Sequence, residues 1–105
     1  MNLGNQLGST TYIKDEFLKL LNDVHARSGL SLREVAQASD LDPTYVHYIL
    51  KGARRPQRDV IIALGFTYCL DRLEVDEILV LAGFPPIGRG YLREYRQANA
   101  ATKTA

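Results

Sequence analysis

The chain has 105 residues and a formal net charge of +1, with the mixture of apolar and charged residues found in ordinary globular proteins. This length allows one domain with a modest core and excludes two independent domains. The single cysteine excludes an internal disulfide framework, no apolar run reaches the roughly 20 residues of a membrane helix, and the near-neutral charge differs from the basic balance typical of nucleic-acid binders.

The first ten residues, MNLGNQLGST, are polar and rich in glycine and asparagine. They predict a flexible lead over residues 1–10. Because they lack the basic start and the apolar centre of a secretory signal, the sequence predicts a cytoplasmic protein.

A first helix is expected to begin near Thr11 or Tyr12 and to end at Gly29. His25, near its end, fits a surface residue better than a metal ligand, because no second ligand follows three or four residues later. The apolar stripe of this helix consists of Ile13, Phe17, Leu20, Leu21 and Val24.

Residues 31–52 contain two sets of helix-start signals separated by a short break, a pattern that predicts a helix-turn-helix. Ser31 followed by Glu34 forms a capping box, in which each side chain satisfies a backbone amide of the other residue. Asp42 followed by Pro43 is a second start, because aspartate caps a helix and proline is favoured at its first position.

The second of these helices is predicted to have one buried and one exposed face. Val46, Ile49 and Leu50 recur at spacings of three and four residues and are expected to face a core. Gly52 follows as a residue that readily adopts the positive φ of a helix end. Two tyrosines, a histidine and a threonine are unusual on a merely solvated helix, so the outer face is interpreted as a contact surface. The outer positions are Thr44, Tyr45, His47, Tyr48 and Lys51.

A cluster of cations follows in the segment KGARRPQR, residues 51–58, where Asp59 is the only acidic neighbour. A fourth helix is then expected, apolar on most sides and therefore central in the core. Its apolar residues are Val60, Ile61, Ile62, Leu64 and Phe66. Gly65 costs helix propensity, so close packing against a neighbouring helix is its expected role. Cys69 is predicted to be a small core residue rather than a reactive thiol.

Asp71 and Glu74 mark the start of a fifth helix near Arg72, and Gly83 followed by two prolines marks its end. Its predicted buried stripe is Val75, Ile78, Leu79 and Ala82. The acidic residues of this helix are Asp71, Glu74, Asp76 and Glu77. The near-neutral net charge of the chain is therefore the sum of a basic loop beside the contact surface and an acidic helix elsewhere.

The remaining residues, 87–105, form a basic segment with Arg89, Arg93, Arg96 and Lys103. Tyr91, Leu92 and Tyr95 fit one side of a short sixth helix. A dimer contact, an arm lying on DNA and a frayed tail are all compatible with a periodic signal that spans only two turns.

Three segments carry a resemblance to a known family: GLSLREVA over residues 29–36, LDPTYVHYILKG over 41–52, and ARRPQ over 53–57. Through them the chain, from Phe17 to Phe84, resembles the lambda-repressor-like or Cro/C1 DNA-binding domains, also called the Xre family. This resemblance implies an all-α, five-helix helix-turn-helix domain over residues 11–86, with residues 87–105 as a basic tail or a short sixth helix.

The resemblance also implies which residues would bind DNA. Base edges would be met at the start and on the outward turn of the second motif helix, at Pro43, Thr44 and Tyr48, with Tyr45 and His47 beside them. Phosphates would be met by Lys51, Arg54 and Arg55. Many relatives carry a phosphate-binding glutamine where this chain has Leu32, and Arg33 is its expected substitute. The base-reading positions lack Arg, Asn and Gln, so sequence discrimination is expected to be modest.

The resulting hypothesis is a sequence-specific, repressor-type transcriptional regulator that binds double-stranded DNA as a homodimer and uses no cofactor. The alternative is a protein-interaction module, such as an antitoxin or an adaptor, whose helix-turn-helix does not read DNA. In that case the aromatic side chains of the contact surface would pack within the fold or on a partner, and Arg54 and Arg55 would lie on a solvated loop. An enzyme is disfavoured, because no nucleophile set, paired carboxylates or phosphate-binding glycine loop is recognisable.

Overall fold

The computed structural model describes residues 11–87, and these residues form five α-helices and no strand. The helices are α1 (Lys14–Ser28), α2 (Leu32–Ser39), α3 (Pro43–Lys51), α4 (Arg58–Thr67) and α5 (Arg72–Leu81). The prediction of an all-α, five-helix domain is confirmed. The predicted flexible lead and the predicted sixth helix lie outside the described residues.

Local capping determines where α2 and α3 begin. The Ser31 hydroxyl accepts a hydrogen bond from the Glu34 N–H at 3.0 Å, and the Glu34 carboxylate accepts one from the Ser31 N–H at 2.9 Å. This capping box lowers the pKa of Glu34, chiefly through the bond from the Ser31 backbone. At α3, the Asp42 carboxylate accepts from the Thr44 N–H at 2.7 Å, and Pro43 occupies the first helical position. Both predicted starts are confirmed.

The five helices pack in a closed ring around one core. α1 packs against α3 and α5, α2 against α3 and α4, and α4 against α5. Each helix contributes apolar side chains to the centre, so the ring buries its amphipathic faces against one another. The buried core consists of Phe17, Leu21, Val24, Val35, Ala36, Val46, Ile49, Ile61, Leu64, Tyr68, Val75, Ile78, Leu79 and Ala82. No helix among residues 11–87 has the length and apolarity needed to cross a membrane.

Gly65 allows α4 and α5 to approach each other closely. A Cβ atom at this position would lie only 2.6 Å from Cγ2 of Val75, a distance that real Cβ atoms do not show. The predicted packing role of this glycine is confirmed. Phe66, in contrast, was expected in the core and is 77% exposed. The buried stripe of α4 and the turn after it follows positions 61, 64, 65 and 68, and Phe66 lies to one side of that stripe.

Cys69 was also expected in the core, and this expectation is wrong, because the residue is exposed. Its φ of 57° places it in the left-handed region, in the turn that follows α4. The Leu70 N–H donates to the Gly65 carbonyl at 2.9 Å, closing this turn. The backbone reversal directs Tyr68 and Leu70 towards the core and leaves the cysteine between them outside.

The chain begins its first helix later than predicted. Ile13, expected in the apolar stripe, precedes α1 and is 42% exposed. Its backbone N–H instead donates to the Leu81 carbonyl at 2.8 Å, which ties the start of α1 to the end of α5.

Tyr68 forms a part-buried polar contact between α1 and the turn after α4. Its hydroxyl lies 2.9 Å from Nδ1 of His25, and the two rings meet edge to face. His25 is half-buried by this contact, whereas the sequence suggested a surface residue. Burial raises the pKa of Tyr68 to about 12, from its ordinary value of 10.0.

This shift predicts a loss of stability in alkaline solution. The folded protein holds the Tyr68 proton more tightly than the unfolded chain, so the stabilisation is complete below about pH 10 and is lost as pH rises towards 12. We expect the free energy of unfolding to fall more steeply with pH in the wild type than in Tyr68→Phe, as measured by denaturant titration between about pH 9 and 12. Equal pH dependence in the two proteins would show that Tyr68 ionises as freely in the fold as outside it.

Candidate nucleic-acid interface

One face of α3 is exposed along its whole length. Thr44, His47, Tyr48 and Lys51 lie at successive spacings of three, one and three residues, which places them on the same side of the helix, and all four are exposed. Val46 and Ile49 are fully buried on the opposite side. Pro43, the first residue of the helix, is exposed as well.

Tyr45 is the exception among the positions predicted to be outside. It is half-buried and packs against the core. Tyr45 lies one turn before Ile49, so it flanks the buried stripe instead of facing solvent. The exposed aromatic residues of α3 are therefore His47 and Tyr48, whose ring centroids are 5.9 Å apart. Tyr48 is 43% exposed.

The turn between α2 and α3 is closed by a left-handed residue. Asp40 has φ of 57°, a conformation that aspartate tolerates better than most residues. Next to it, the Leu41 N–H donates to the Ala36 carbonyl at 2.9 Å, and Asp42 then caps α3. Local hydrogen bonds thus define how the two motif helices are joined.

The end of α3 has the hydrogen bonds of a Schellman motif. The Gly52 N–H donates to the Ile49 carbonyl at 3.1 Å, and the Ala53 N–H donates to the Tyr48 carbonyl at 2.9 Å. The Arg54 N–H also reaches the Tyr48 carbonyl, at 3.3 Å. Gly52 has φ of 84°, as the motif requires. The start of the loop is therefore anchored directly to the last turn of α3.

Helix α1 packs against this end of α3. A Cβ atom on Gly52 would lie 2.6 Å from Cδ1 of Leu18, so a larger residue at this point would require the Leu18 side chain to move. One turn further along α1, the Asn22 amide donates to the Leu50 carbonyl at 3.0 Å and to the Leu18 carbonyl at 2.8 Å. Asn22 was not singled out from the sequence, because its partner Leu50 lies 28 positions away and no local pattern signals the contact.

In the basic loop, residues 52–57, one of the two arginines has no partner among the described residues. Arg54 is exposed and forms no side-chain hydrogen bond or ion pair with any residue in 11–87. The same holds within this range for Lys51 at the end of α3 and for Arg33 on α2. Within the described part of the chain, therefore, no residue pairs with these three cations.

Arg55 has different surroundings. Its Nε donates to the Ala82 carbonyl at 2.9 Å and its Nη2 to the Gly83 carbonyl at 3.4 Å. Its guanidinium carbon also lies 4.4 Å from the ring centroid of Phe84 and 5.2 Å from that of Tyr12. These partners lie at the end of α5 and before α1, so the guanidinium serves contacts inside the fold. The structure thus separates Arg54 and Arg55, which the sequence had grouped as phosphate contacts.

Arg58 repeats this arrangement at the start of α4. Its Nε donates to the Pro85 carbonyl at 3.2 Å and its Nη2 to the Pro86 carbonyl at 3.3 Å. Together, Arg55 and Arg58 tie the basic loop and the start of α4 to the segment that leaves α5. Neither contact is signalled by the sequence, because in each case donor and acceptor lie at least 27 positions apart.

The described residues contain no cluster of three His, Cys, Asp or Glu side chains suited to a metal ion. A family model described as a helix-turn-helix domain matches residues 17–78, from the first turn of α1 into α5. This match covers more than half of the chain and agrees with the resemblance to lambda-repressor-like domains. No curated protein and no solved structure matches the chain.

Proposed function

The chain belongs to the helix-turn-helix domain family, and on this premise we propose that it is a sequence-specific DNA-binding transcriptional regulator of the repressor type. The observation that carries the proposal is the exposed face of α3, with Lys51 at its end and Arg54 in the loop that follows, two cations without a partner among residues 11–87. A rigid helix with cations at its side meets the two requirements of duplex recognition, a probe for the groove and counter-charges for phosphates.

We propose a role for each predicted residue from its position in the structure. Thr44 and Tyr48 would face base edges in the major groove, with Pro43 and His47 at their sides. Tyr45 would help to pack α3 against the core. Lys51, Arg54 and Arg33 would bind phosphates, whereas Arg55 is proposed to stabilise the loop that carries Arg54.

Tyr48 offers the most direct test of this assignment. Tyr48→Ala is expected to leave the melting temperature within a few degrees, because exposed substitutions change stability by about 0.5 kcal/mol or less. It should weaken binding to a duplex selected from a random pool much more than binding to unselected duplex. Tyr45→Ala is the control, since truncating this half-buried ring should lower the melting temperature clearly. A large stability loss in Tyr48→Ala, or equal weakening on both duplexes, would refute a role for Tyr48 in specificity.

We further propose that the protein acts as a homodimer with its two α3 helices about 34 Å apart, one turn of B-DNA, because one short helix reads only a few base pairs. The most exposed large apolar side chains in residues 11–87 are Phe66 and Leu73, at 77% and 73%. We expect the second subunit to cover them, since exposed apolar surface marks interfaces. Sedimentation should show a dimer that Phe66→Ser with Leu73→Ser converts to a monomer. A wild-type monomer both free and on DNA would contradict this proposal.

A protein-interaction module remains the second candidate, favoured by the exposed aromatic rings of α3 and the weak net charge. Titration with random duplex at low salt distinguishes the two functions, because a module that does not read DNA shows no salt-dependent binding. The cytoplasmic location stays a prediction of the sequence.

A further inference from the structure

One face of α1 lies along the end of α3 over three successive turns. Asn22 donates to the Leu50 carbonyl at 3.0 Å. One turn earlier, Cδ1 of Leu18 lies 2.6 Å from the point where a Cβ atom of Gly52 would stand. Another turn earlier, Cε of Lys14 lies 3.2 Å from the same point. The three α1 residues follow one another at intervals of four, so they share one face of the helix.

Lys14 therefore carries a positive charge from α1 to the place where α3 ends. Gly52 directly follows Lys51, and the Arg54 N–H donates to the Tyr48 carbonyl at 3.3 Å, which holds the Arg54 backbone at the last turn of α3. Because Gly52 has no side chain, the methylene stem of Lys14 can lie close to the backbone at this point. Lys14 is exposed, so its ammonium group is at the surface, as is usual for a lysine that packs through its stem.

No carboxylate within residues 11–87 pairs with Lys14, Lys51 or Arg54, because the two ion pairs in this range use other residues. Asp15 and Glu16 follow Lys14 in the sequence, but they are rotated from it by about 100° and 200° around α1 and lie off the face that meets α3. Cations gathered in this way repel one another, and an anion bound between them removes the repulsion.

The position of these cations favours the phosphates of a duplex as that anion. Lys51 is the last residue of the exposed face of α3, and Arg54 and Lys14 lie beside that end of the helix. The major groove is only about 12 Å wide and has a phosphate backbone on each side. Cations that flank a helix in the groove therefore lie within reach of phosphates.

We propose that Lys14 is a further phosphate-binding residue and that, with Lys51 and Arg54, it forms a phosphate-binding patch at the end of α3. This inference rests on the proposed DNA-binding function and extends its binding surface to α1, on which none of the residues assigned to DNA from the sequence lies. Lys14 supplies affinity without sequence information, since phosphates are the same at every site.

The test is a salt titration of binding to random duplex by the full-length chain. Lys14→Met keeps an unbranched stem beside Gly52 and removes the charge, so it should lower the log-log salt slope by about 0.9, the value of one phosphate that is no longer neutralised. Lys14→Arg conserves the charge and should keep the wild-type slope. Both variants should keep the melting temperature within a few degrees, because Lys14 is exposed.

Lys19→Met is the matched control on the same helix. Lys19 is also exposed and forms no side-chain hydrogen bond or ion pair with any residue in 11–87, but it is rotated from Lys14 by about 140° around α1. This variant removes the same charge from the protein and should leave the slope nearly unchanged. Equal decreases in Lys14→Met and Lys19→Met would show a general effect of net charge and would overturn the patch.

The remaining outcomes separate the role of Lys14 from the function on which it rests. If Arg54→Ala lowers the slope and Lys14→Met does not, Lys14 is not part of the patch, and DNA binding by α3 and its loop stands. If Lys14→Arg lowers the slope as much as Lys14→Met, the charge of Lys14 is not what binds, and the proposal is wrong. If the wild type shows no salt-dependent binding to duplex, the proposed function and the patch both fail.

Discussion

Arg55→Ala is expected to lower the melting temperature by roughly 10 °C. The substitution removes hydrogen bonds from a charged donor to the Ala82 and Gly83 carbonyls and the cation–π contacts with Phe84 and Tyr12. Allowing for partial solvent exposure, these contacts together stabilise the fold by about 2 kcal/mol, and each kcal/mol shifts the melting temperature of so small a domain by about 4–8 °C. Thermal unfolding followed by circular dichroism measures the change.

Arg54→Ala is the matched control, one position earlier in the same loop. Its side chain has no partner in residues 11–87, so the melting temperature should stay within a few degrees. In DNA binding, the variant with the larger effect should be Arg54→Ala. It should lower the log-log salt slope by about 1, because one phosphate is no longer neutralised. Arg55→Ala should leave the slope of the folded protein unchanged. If both variants lower the slope and neither loses stability, then both arginines bind phosphate, as the sequence alone suggested.

Gly52→Ala is expected to destabilise the protein by about 2–5 kcal/mol. Alanine at φ of 84° costs about 1–2 kcal/mol, and the new Cβ would lie 2.6 Å from Cδ1 of Leu18, which adds an overpacking cost of about 1–3 kcal/mol. Since Gly52 ends α3 where α1 supports it, the substitution should also displace α3 and weaken DNA binding. Denaturant unfolding gives the stability change, and a duplex titration gives the affinity.

Gly29→Ala measures the conformational cost of a positive φ without the overpacking cost. Gly29 ends α1 with φ of 71°, and a Cβ atom there would meet nothing within 4 Å, so only the conformational cost of about 1–2 kcal/mol applies. Combining Gly52→Ala with Leu18→Ala should recover part of the overpacking cost, which appears as a coupling energy in a double-mutant cycle. Equal losses at Gly29 and Gly52, without coupling to Leu18, would show that α1 does not restrict the end of α3.

The helices and their order could be predicted from the sequence because the signals for them are local. The capping box of Ser31 and Glu34, the Asp42 cap and the glycine after α3 involve residues at most four positions apart, so adjacent sequence contains both partners of each contact. The exposed positions of α3 follow from helical periodicity for the same reason, and Thr44, His47, Tyr48 and Lys51 were predicted correctly as exposed.

Only the tertiary structure decided what these elements contact. Tyr45 flanks the core instead of solvent, Phe66 lies outside it, and Cys69 sits on an exposed turn, because the width and direction of a buried face depend on which helix packs against it. Arg54 and Arg55 are adjacent and identical in the sequence, yet one is unpartnered within residues 11–87 and the other binds carbonyls 27 and 28 positions away. Contacts of such separation form only when the ring of helices closes, and no local pattern records them.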